Sequence, residues 1–286
     1  MRGWIAALTL TGLGLTAGGC ATGRHPMEEW RWQGYEQEIA SEAWLYAQLA
    51  QNAYLPTRES PHFNMGGVFE ERRRTDNDEI GLAYVVSTRS AGVCAPEVVI
   101  AFRGTEGIRN GLDWKYGNTG PEQNEKGIEV FKEWRDWRDQ HMPGARMTVV
   151  GHSLGGGIAT HISINNEGVS SYAFDGSPHY WMLDGRVRPN VRHLVAETGE
   201  ILFYLRAPAR ETNQTYSPVN CTWSWKPITQ HDMRTLASCL TTAASWDSVV
   251  AERSLRLNGL PVPPATRPRP DPEPQTCSDP ADLIDP

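Results

Sequence analysis

The feature that most constrains the fold is the pentapeptide Gly151-His152-Ser153-Leu154-Gly155, which matches the pattern G-x-S-x-G. A β-branched run at 148–150 precedes it, and an apolar, helix-like run at 154–164 follows it. This context predicts a strand, a sharp turn and a helix, with the hydroxyl of Ser153 exposed on a strained turn. The glycines are needed because side chains at their positions would clash with the neighbouring strand and helix. The segment therefore predicts a nucleophilic serine at the end of a buried strand.

The order of apolar segments predicts a mostly parallel sheet that is covered by helices on both faces. Segments predicted as strands or extended chain are 81–88, 98–102, 146–150, 171–174, 191–196 and 201–205. Segments with the apolar periodicity of helices are 35–55, 128–138, 154–164 and 233–250. The polar stretches 72–78 and 117–127 are predicted as loops. Because strands alternate with helices, we predict an α/β fold in a single domain.

Both ends of the chain differ in composition from the predicted domain at 35–257. Residues 258–286 are rich in proline, which cannot donate the backbone hydrogen bonds of regular elements, so we expect an extended or disordered tail. Residues 20–34 are polar, and we expect them to tether the domain. The whole chain has 286 residues, a length that permits one large domain or two small ones.

The first 19 residues are predicted to be a signal peptide. Met1-Arg2 precedes an uncharged, mostly apolar stretch of about a dozen residues, which is too short to span a bilayer comfortably. Small residues then lead to Cys20, and the segment resembles the signal of a bacterial lipoprotein, whose cleavage leaves a lipid-modified cysteine at the new N-terminus. Ala21 in the next position points to the outer membrane. The alternative is an ordinary secretory signal cut near Ala21, and both take the mature protein out of the cytoplasm into the cell envelope or beyond.

Charge and cysteine content narrow the classes of partner and cofactor. The formal net charge of −7 argues against nucleic acid as a partner, because nucleic acid requires clustered Lys and Arg. An even number of cysteines beyond Cys20 suggests disulfides in an oxidising compartment, although the pairing, or a role as buried free thiols, stays open. These cysteines are Cys94, Cys221, Cys239 and Cys277. Their spacing does not resemble a zinc site, and we expect neither a metal nor a cofactor.

A serine hydroxyl is a poor nucleophile, so Ser153 requires a histidine as its base. In folds built on this strand–turn–helix, the order along the chain is serine, acid, histidine. His161 would lie on the helix after the turn and face away from the site. His179 and His193 come too early to follow an acid at a strand end. His231, in a loop before the last helix, is therefore the predicted base.

The acid that orients the histidine should lie between Ser153 and His231, just after a strand of the sheet. The candidates are Asp175, Asp184, Glu197 and Glu200. Glu200 follows the strand that ends near residue 196, and we predict it as the acid. Asp175 and Glu197 stay open as alternatives.

The tetrahedral intermediate of acyl transfer needs hydrogen-bond donors for its oxyanion. One predicted donor is the backbone N–H of Leu154, the residue after the nucleophile. The other should come from the strand end and loop at 99–105, where Thr105 can also donate its hydroxyl.

Several segments carry a family resemblance when they are taken in chain order. They are AQLAQNAY at 47–54, FRGT at 102–105, Asp113-Trp114, GHSLGG at 151–156 and AFDGSP at 173–178. Together they resemble the class 3 lipase family of α/β-hydrolases over roughly residues 36–250. The resemblance implies a Ser–acid–His hydrolase of carboxylic esters, with Thr105 and Leu154 as oxyanion donors. Two features depart from the family: Glu200 stands where an Asp is usual, and the polar 117–127 replaces an amphipathic lid.

The sequence thus predicts a secreted, lipid-anchored serine ester hydrolase, such as a lipase, phospholipase or carboxylesterase. Its substrate would be a lipid or a small ester, cleaved through Ser153, Glu200, His231 and an acyl-enzyme. The anchor at Cys20 would hold it against a membrane. Two alternatives stay open: a non-catalytic lipid- or protein-binding lipoprotein with the same fold, and an acyltransferase that uses the same serine.

Overall fold

The computed structural model describes residues 34–76, 79–90, 95–104, 122–178, 190–206, 214–222 and 228–264. The helices in this part are α1 (Gly34–Asn52), α2 (Glu122–His141), α3 (Leu154–Asn165), α4 (Phe203–Arg206), α5 (Met233–Ala244) and α6 (Val249–Leu257). The strands are β1 (Glu70–Thr75), β2 (Tyr84–Arg89), β3 (Glu97–Phe102), β4 (Arg146–His152), β5 (Val169–Phe174), β6 (Arg192–Glu197) and β7 (Thr215–Val219).

The strands form one seven-stranded sheet in which spatial order follows chain order, from β1 at one edge to β7 at the other. The pairs β1–β2 and β2–β3 are antiparallel. All pairs from β3 to β7 are parallel. The carboxyl ends of β4, β5 and β6 therefore lie side by side at the same end of the sheet. Binding and active sites of α/β proteins are usually built at this end.

Helices cover both faces of the sheet, and each face has its own apolar core. Val99 and Val150 point into the core shared with α1 and α5, whereas Ile100 and Val149 point into the core shared with α2 and α3. This alternation buries the central strands on both sides, which explains why their sequences are almost continuously apolar. The predicted α/β-hydrolase fold in a single domain is confirmed.

The sequence analysis did not predict the two edge strands, because both contain several polar residues. Residues 72–78 were expected to be a loop, but β1 runs through Thr75 with most of its side chains exposed. Charged residues on an exposed edge also discourage pairing with other chains. β7 is short and contains Pro218, a residue that sheets tolerate at an edge, where its missing N–H breaks no ladder.

Three other expectations are corrected by the helices. The segment 201–205 was expected to be extended, but it forms a turn that leads into α4. The single helix expected at 233–250 is two, because α5 ends at Ala244 and Ser248 caps α6 by accepting from the Ala251 N–H. The polar stretch 117–127 is helical from Glu122 onward.

The structure describes the first residues of the Pro-rich segment, up to residue 264. The Asn64 N–H donates to the side chain of Asn258, and Leu260 packs against the core that contains α1 and α5. The predicted signal peptide at 1–19, Cys20, most of the predicted tether and residues 265–286 lie outside the described residues. Among the helices that are described, none is long and apolar enough to cross a membrane.

One disulfide joins Cys221 to Cys239 and selects one of the pairings left open by the sequence. It ties the segment after β7 to α5, the helix that directly follows His231 and Asp232. Cys94 and Cys277 lie outside the described residues.

Candidate active site

Ser153 occupies the sharp turn that the sequence predicts between β4 and α3. Its backbone has φ 54° and ψ −122°, a strained combination for a residue with a side chain. A serine at a helix N-cap ordinarily accepts a hydrogen bond from the first turn, but Ser153 makes no such side-chain bond. The turn therefore presents a half-buried hydroxyl that is not used for capping.

Close backbone contacts explain the glycines around this turn. A Cβ on Gly155 would lie 2.2 Å from the carbonyl oxygen of Phe102 in β3, and one on Gly151 would lie 2.3 Å from the carbonyl group of Gly155. A Cβ on Gly104 would lie 2.8 Å from Cβ of Ser153. The strand end after β3 is thus packed directly against the nucleophile turn, as the predicted oxyanion loop requires.

The structure describes only one of the two predicted oxyanion donors, Leu154. Leu154 is the first residue of α3, so its N–H has no acceptor within the helix and lies at the positive end of the helix dipole. Thr105 directly follows Gly104 but lies outside the described residues.

The predicted base and acid meet. Nδ1 of His231 lies 2.8 Å from Oε2 of Glu200. The same oxygen accepts the Leu202 N–H at 2.8 Å, which holds the carboxylate in place across the turn before α4. Glu200 is fully buried, whereas the side chain of His231 is 16% exposed. The carboxylate therefore orients an imidazole whose other face can reach solvent or a substrate.

Arg206 is a member of the site that sequence reasoning missed. Its guanidinium pairs with Oε1 of Glu200, and its Nε donates to the Gly176 carbonyl at 2.5 Å. Only 5% of the arginine side chain is exposed, so this is a buried ion pair. It could not be predicted because the contact depends on the turn and on α4, in a segment whose sequence suggested extended chain.

The predicted base, His231, also lies against the turn at Ser153. The rings of His231 and His152 are 4.6 Å apart between centroids, and His152 directly precedes Ser153. Nδ1 of His152 lies 2.6 Å from the hydroxyl of Tyr54, which also accepts the Gly104 N–H at 3.1 Å. Tyr54, which follows α1, thus contacts both the turn at Ser153 and the strand end after β3.

The alternative acids are held by other partners. Oδ1 of Asp175 accepts the Glu197 N–H at 2.8 Å, at a position where Asp175 has a positive φ of 45°. The carboxylate of Glu197 accepts the N–H groups of Cys221 and Thr222 at 2.8 and 2.7 Å. Glu200 is thus the candidate whose hydrogen bond to His231 is observed. The fourth candidate, Asp184, lies outside the described residues.

Burial dominates the electrostatics around these groups. It raises the pKa of Asp175 to about 7, with the neighbouring charges making smaller contributions. It also raises the pKa of Glu197 to about 8, although the two N–H donors oppose that change. Burial lowers the pKa of His152 well below its ordinary value, and the neighbouring His231 and Arg206 act in the same direction. His152 is therefore neutral at physiological pH.

The remaining histidine candidates do not belong to this constellation. His161 is buried on α3. His193 lies at the start of β6, the opposite end of the sheet, with Nε2 3.2 Å from Glu42. His179 lies outside the described residues.

Among solved structures, the chain is similar to several lipases. The lipase from Rhizopus microsporus var. chinensis is 12% identical, with a TM-score of 0.43 over 59% of this chain and 69% of that one. The triacylglyceride lipase of Rhizomucor miehei is 15% identical, with a TM-score of 0.43 over 63% and 77% of the two chains. The triacylglycerol lipase from Penicillium expansum is 11% identical, with a TM-score of 0.41 over 64% and 78%.

No protein-family model matches the sequence, and no curated protein matches it. At these identities and TM-scores the likeness to solved structures carries no argument about function.

Proposed function

We propose that this protein is a serine hydrolase of carboxylic esters with Ser153 as nucleophile, His231 as base and Glu200 as acid. The observation that carries the proposal is the buried Glu200 carboxylate 2.8 Å from Nδ1 of His231, whose ring lies against the residue that precedes Ser153. A proton on Nδ1 leaves the lone pair of Nε2 available to accept the serine proton.

The proposed reaction has two halves. Oγ of Ser153 attacks the ester carbonyl carbon as His231 takes its proton, and the alcohol leaves with that proton when the C–O bond breaks. Water then attacks the acyl-enzyme with His231 again as base, which releases the acid and restores the serine. The N–H of Leu154, with Thr105 as second donor, would stabilise the oxyanion in both halves.

The nucleophile is tested by covalent labelling. A fluorophosphonate probe should modify Ser153 in the parent, and Ser153→Ala should abolish both the labelling and ester turnover, with a loss of about 10⁴-fold or more in kcat. Full labelling of the alanine variant would contradict the proposal. A chain-length series of nitrophenyl esters beside a phospholipid panel distinguishes lipid from small-ester substrates, and an added alcohol acceptor distinguishes hydrolysis from acyl transfer.

We further propose that the mature chain begins at a lipid-modified Cys20 and is anchored to the bacterial outer membrane. One acyl chain binds a membrane only weakly, so stable anchoring requires several chains on this cysteine. Cys20→Ala should release the protein into the soluble fraction, whereas the parent sediments with membranes. A Cys20→Ala protein that still sediments would assign membrane contact to another surface, such as Trp30 and Trp32.

A further inference from the structure

Two buried polar atoms behind the nucleophile lack a hydrogen-bond partner among the described residues. They are Nε2 of His152 and Oδ2 of Asp175, and they lie 3.9 Å apart. Their side chains are only 6% and 0% exposed, so water at the protein surface does not satisfy them. Such atoms are uncommon because each has lost its hydration without compensation. Other buried polar atoms of the described residues also lack a partner, but these two lie close together beside the candidate active site, where one small ligand would satisfy both.

His231 is the third potential metal ligand around this position. One ligand atom from each of His152, Asp175 and His231 lies within 4.8 Å of the other two. Since Glu200 holds Nδ1 of His231, Nε2 is the nitrogen of that ring left for a ligand. Two imidazoles and a carboxylate suit Zn²⁺, whereas Mg²⁺ and Ca²⁺ favour sites made of oxygen atoms.

The two histidines also make the second hydrogen bond that is typical of histidines that bind zinc. A histidine that binds metal through one nitrogen usually has its other nitrogen bound to a carboxylate or another polar group. Glu200 fills that role for His231, and the Tyr54 hydroxyl fills it for His152. Ligand atoms on a tetrahedral zinc ion are about 3.4 Å apart. The 3.9 Å gap between His152 and Asp175 must therefore close by about half an ångström, and the separations from His231, which are within 4.8 Å, by up to about 1.4 Å.

We propose that His152, Asp175 and His231 bind Zn²⁺ and that the bound ion switches off the active site reversibly. The ion would take the lone pair of His231 Nε2, so that this nitrogen could no longer accept the proton of Ser153. The effect on activity depends on the proposed function, but the binding of the ion does not.

Zinc binding is measured first, without reference to activity. The full mature chain, freed of metal by a chelator, is dialysed against Zn²⁺ alone. We expect one Zn²⁺ per chain, no binding of Mg²⁺ or Ca²⁺, and visible Co²⁺ bands typical of tetrahedral coordination in the cobalt-loaded parent. Asp175→Asn and His152→Asn should each weaken zinc binding by about tenfold or more. His193→Gln is the matched control, because this partly buried histidine lies at the other end of the sheet, and it should bind Zn²⁺ as the parent does.

Inhibition is measured second, with each variant compared with its own zinc-free activity. Zn²⁺ should inhibit ester hydrolysis by the parent over the concentration range in which it binds, and a chelator should restore the activity. The inference is overturned if the parent hydrolyses esters but binds no Zn²⁺ at millimolar concentration. The space between His152 and Asp175 would then hold a buried water. An affinity unchanged by Asp175→Asn also overturns it. A chain that binds one Zn²⁺ through these residues but hydrolyses no ester supports the metal site and contradicts the proposed function.

Discussion

Replacement of Glu200 by glutamine should disable the site while preserving the shape of the side chain. Oε2 of Glu200 accepts from His231 and from the Leu202 N–H at 2.8 Å each, and Oε1 pairs with Arg206. Glutamine has one acceptor oxygen and one NH₂ group, so in either orientation the NH₂ faces a donor. If its oxygen meets Arg206, its NH₂ donates to Nδ1 of His231 and fixes the proton of that ring on Nε2. That tautomer cannot accept the proton of Ser153.

The size of the effect follows from these contacts. Loss of the acid's charge and the wrong tautomer should lower kcat by about 10³- to 10⁴-fold. The variant also leaves the buried guanidinium of Arg206 without its counter-charge, and breaking a buried ion pair in this way typically destabilises a protein by about 3–5 kcal/mol. Activity and stability therefore fall together in Glu200→Gln, and a second variant is needed to separate them.

The double variant Glu200→Gln/Arg206→Met separates the two effects. It removes the unpaired buried charge, so its melting temperature should rise above that of Glu200→Gln. Its kcat should stay as low, since His231 still lacks a carboxylate. Both quantities are measured on the same preparations, kcat with a nitrophenyl ester and the melting temperature by scanning calorimetry. If kcat recovers with stability, Glu200 is a structural residue and not the acid.

Asp175→Asn is the comparison that tests the alternative acid. The amide oxygen of asparagine can still accept the Glu197 N–H, so the variant should lose far less activity than Glu200→Gln. A large loss of rate in Asp175→Asn, together with near-parental activity in Glu200→Gln, would refute the reasoning. The acid would then lie one strand earlier, and the roles of Ser153 and His231 would be unaffected.

Two further predictions concern stability. His193 and a tyrosine bind the Glu42 carboxylate and lower its pKa below the ordinary 4.5. Ionised Glu42 therefore stabilises the fold above pH 4.5, and Glu42→Gln should melt below the parent at neutral pH, with the gap closing as the pH falls through the folded pKa; a gap independent of pH would contradict this. Cys239→Ser removes the bond to Cys221, which spans 18 residues, and should lower stability by about 2–4 kcal/mol. A reducing agent should lower the melting temperature of the parent by more than that of Cys239→Ser.

The parts of the site that could be predicted are those whose requirements are local or follow chain order. The turn at Ser153 needs small residues at fixed positions, and a β-branched strand before it, so its pattern is visible in the sequence. His231 follows from the serine–acid–histidine order. Glu200 could be ranked first, but the choice among four carboxylates depended on how the end of β6 meets the loop before α5.

What escaped prediction has a common physical reason. The edge strand β1 carries polar side chains because most of them are exposed to water, and β7 is short and contains Pro218. Neither strand therefore shows clearly the apolar alternation that marks a half-buried strand. Arg206 and Tyr54 reach the site through folded segments, and their sequence context gives no sign of it.

The α/β class, the strained serine turn and the chain order of the catalytic candidates are visible in the sequence, because sterics and apolar periodicity act over a few residues. Which side chains come into contact depends on tertiary packing. The contact between His231 and Glu200 joins residues 31 apart, and the contact between Tyr54 and His152 joins residues 98 apart. This packing also buries polar atoms of His152 and Asp175 without hydrogen-bond partners among the described residues. Burial is a property of the folded chain and cannot be predicted from a short segment.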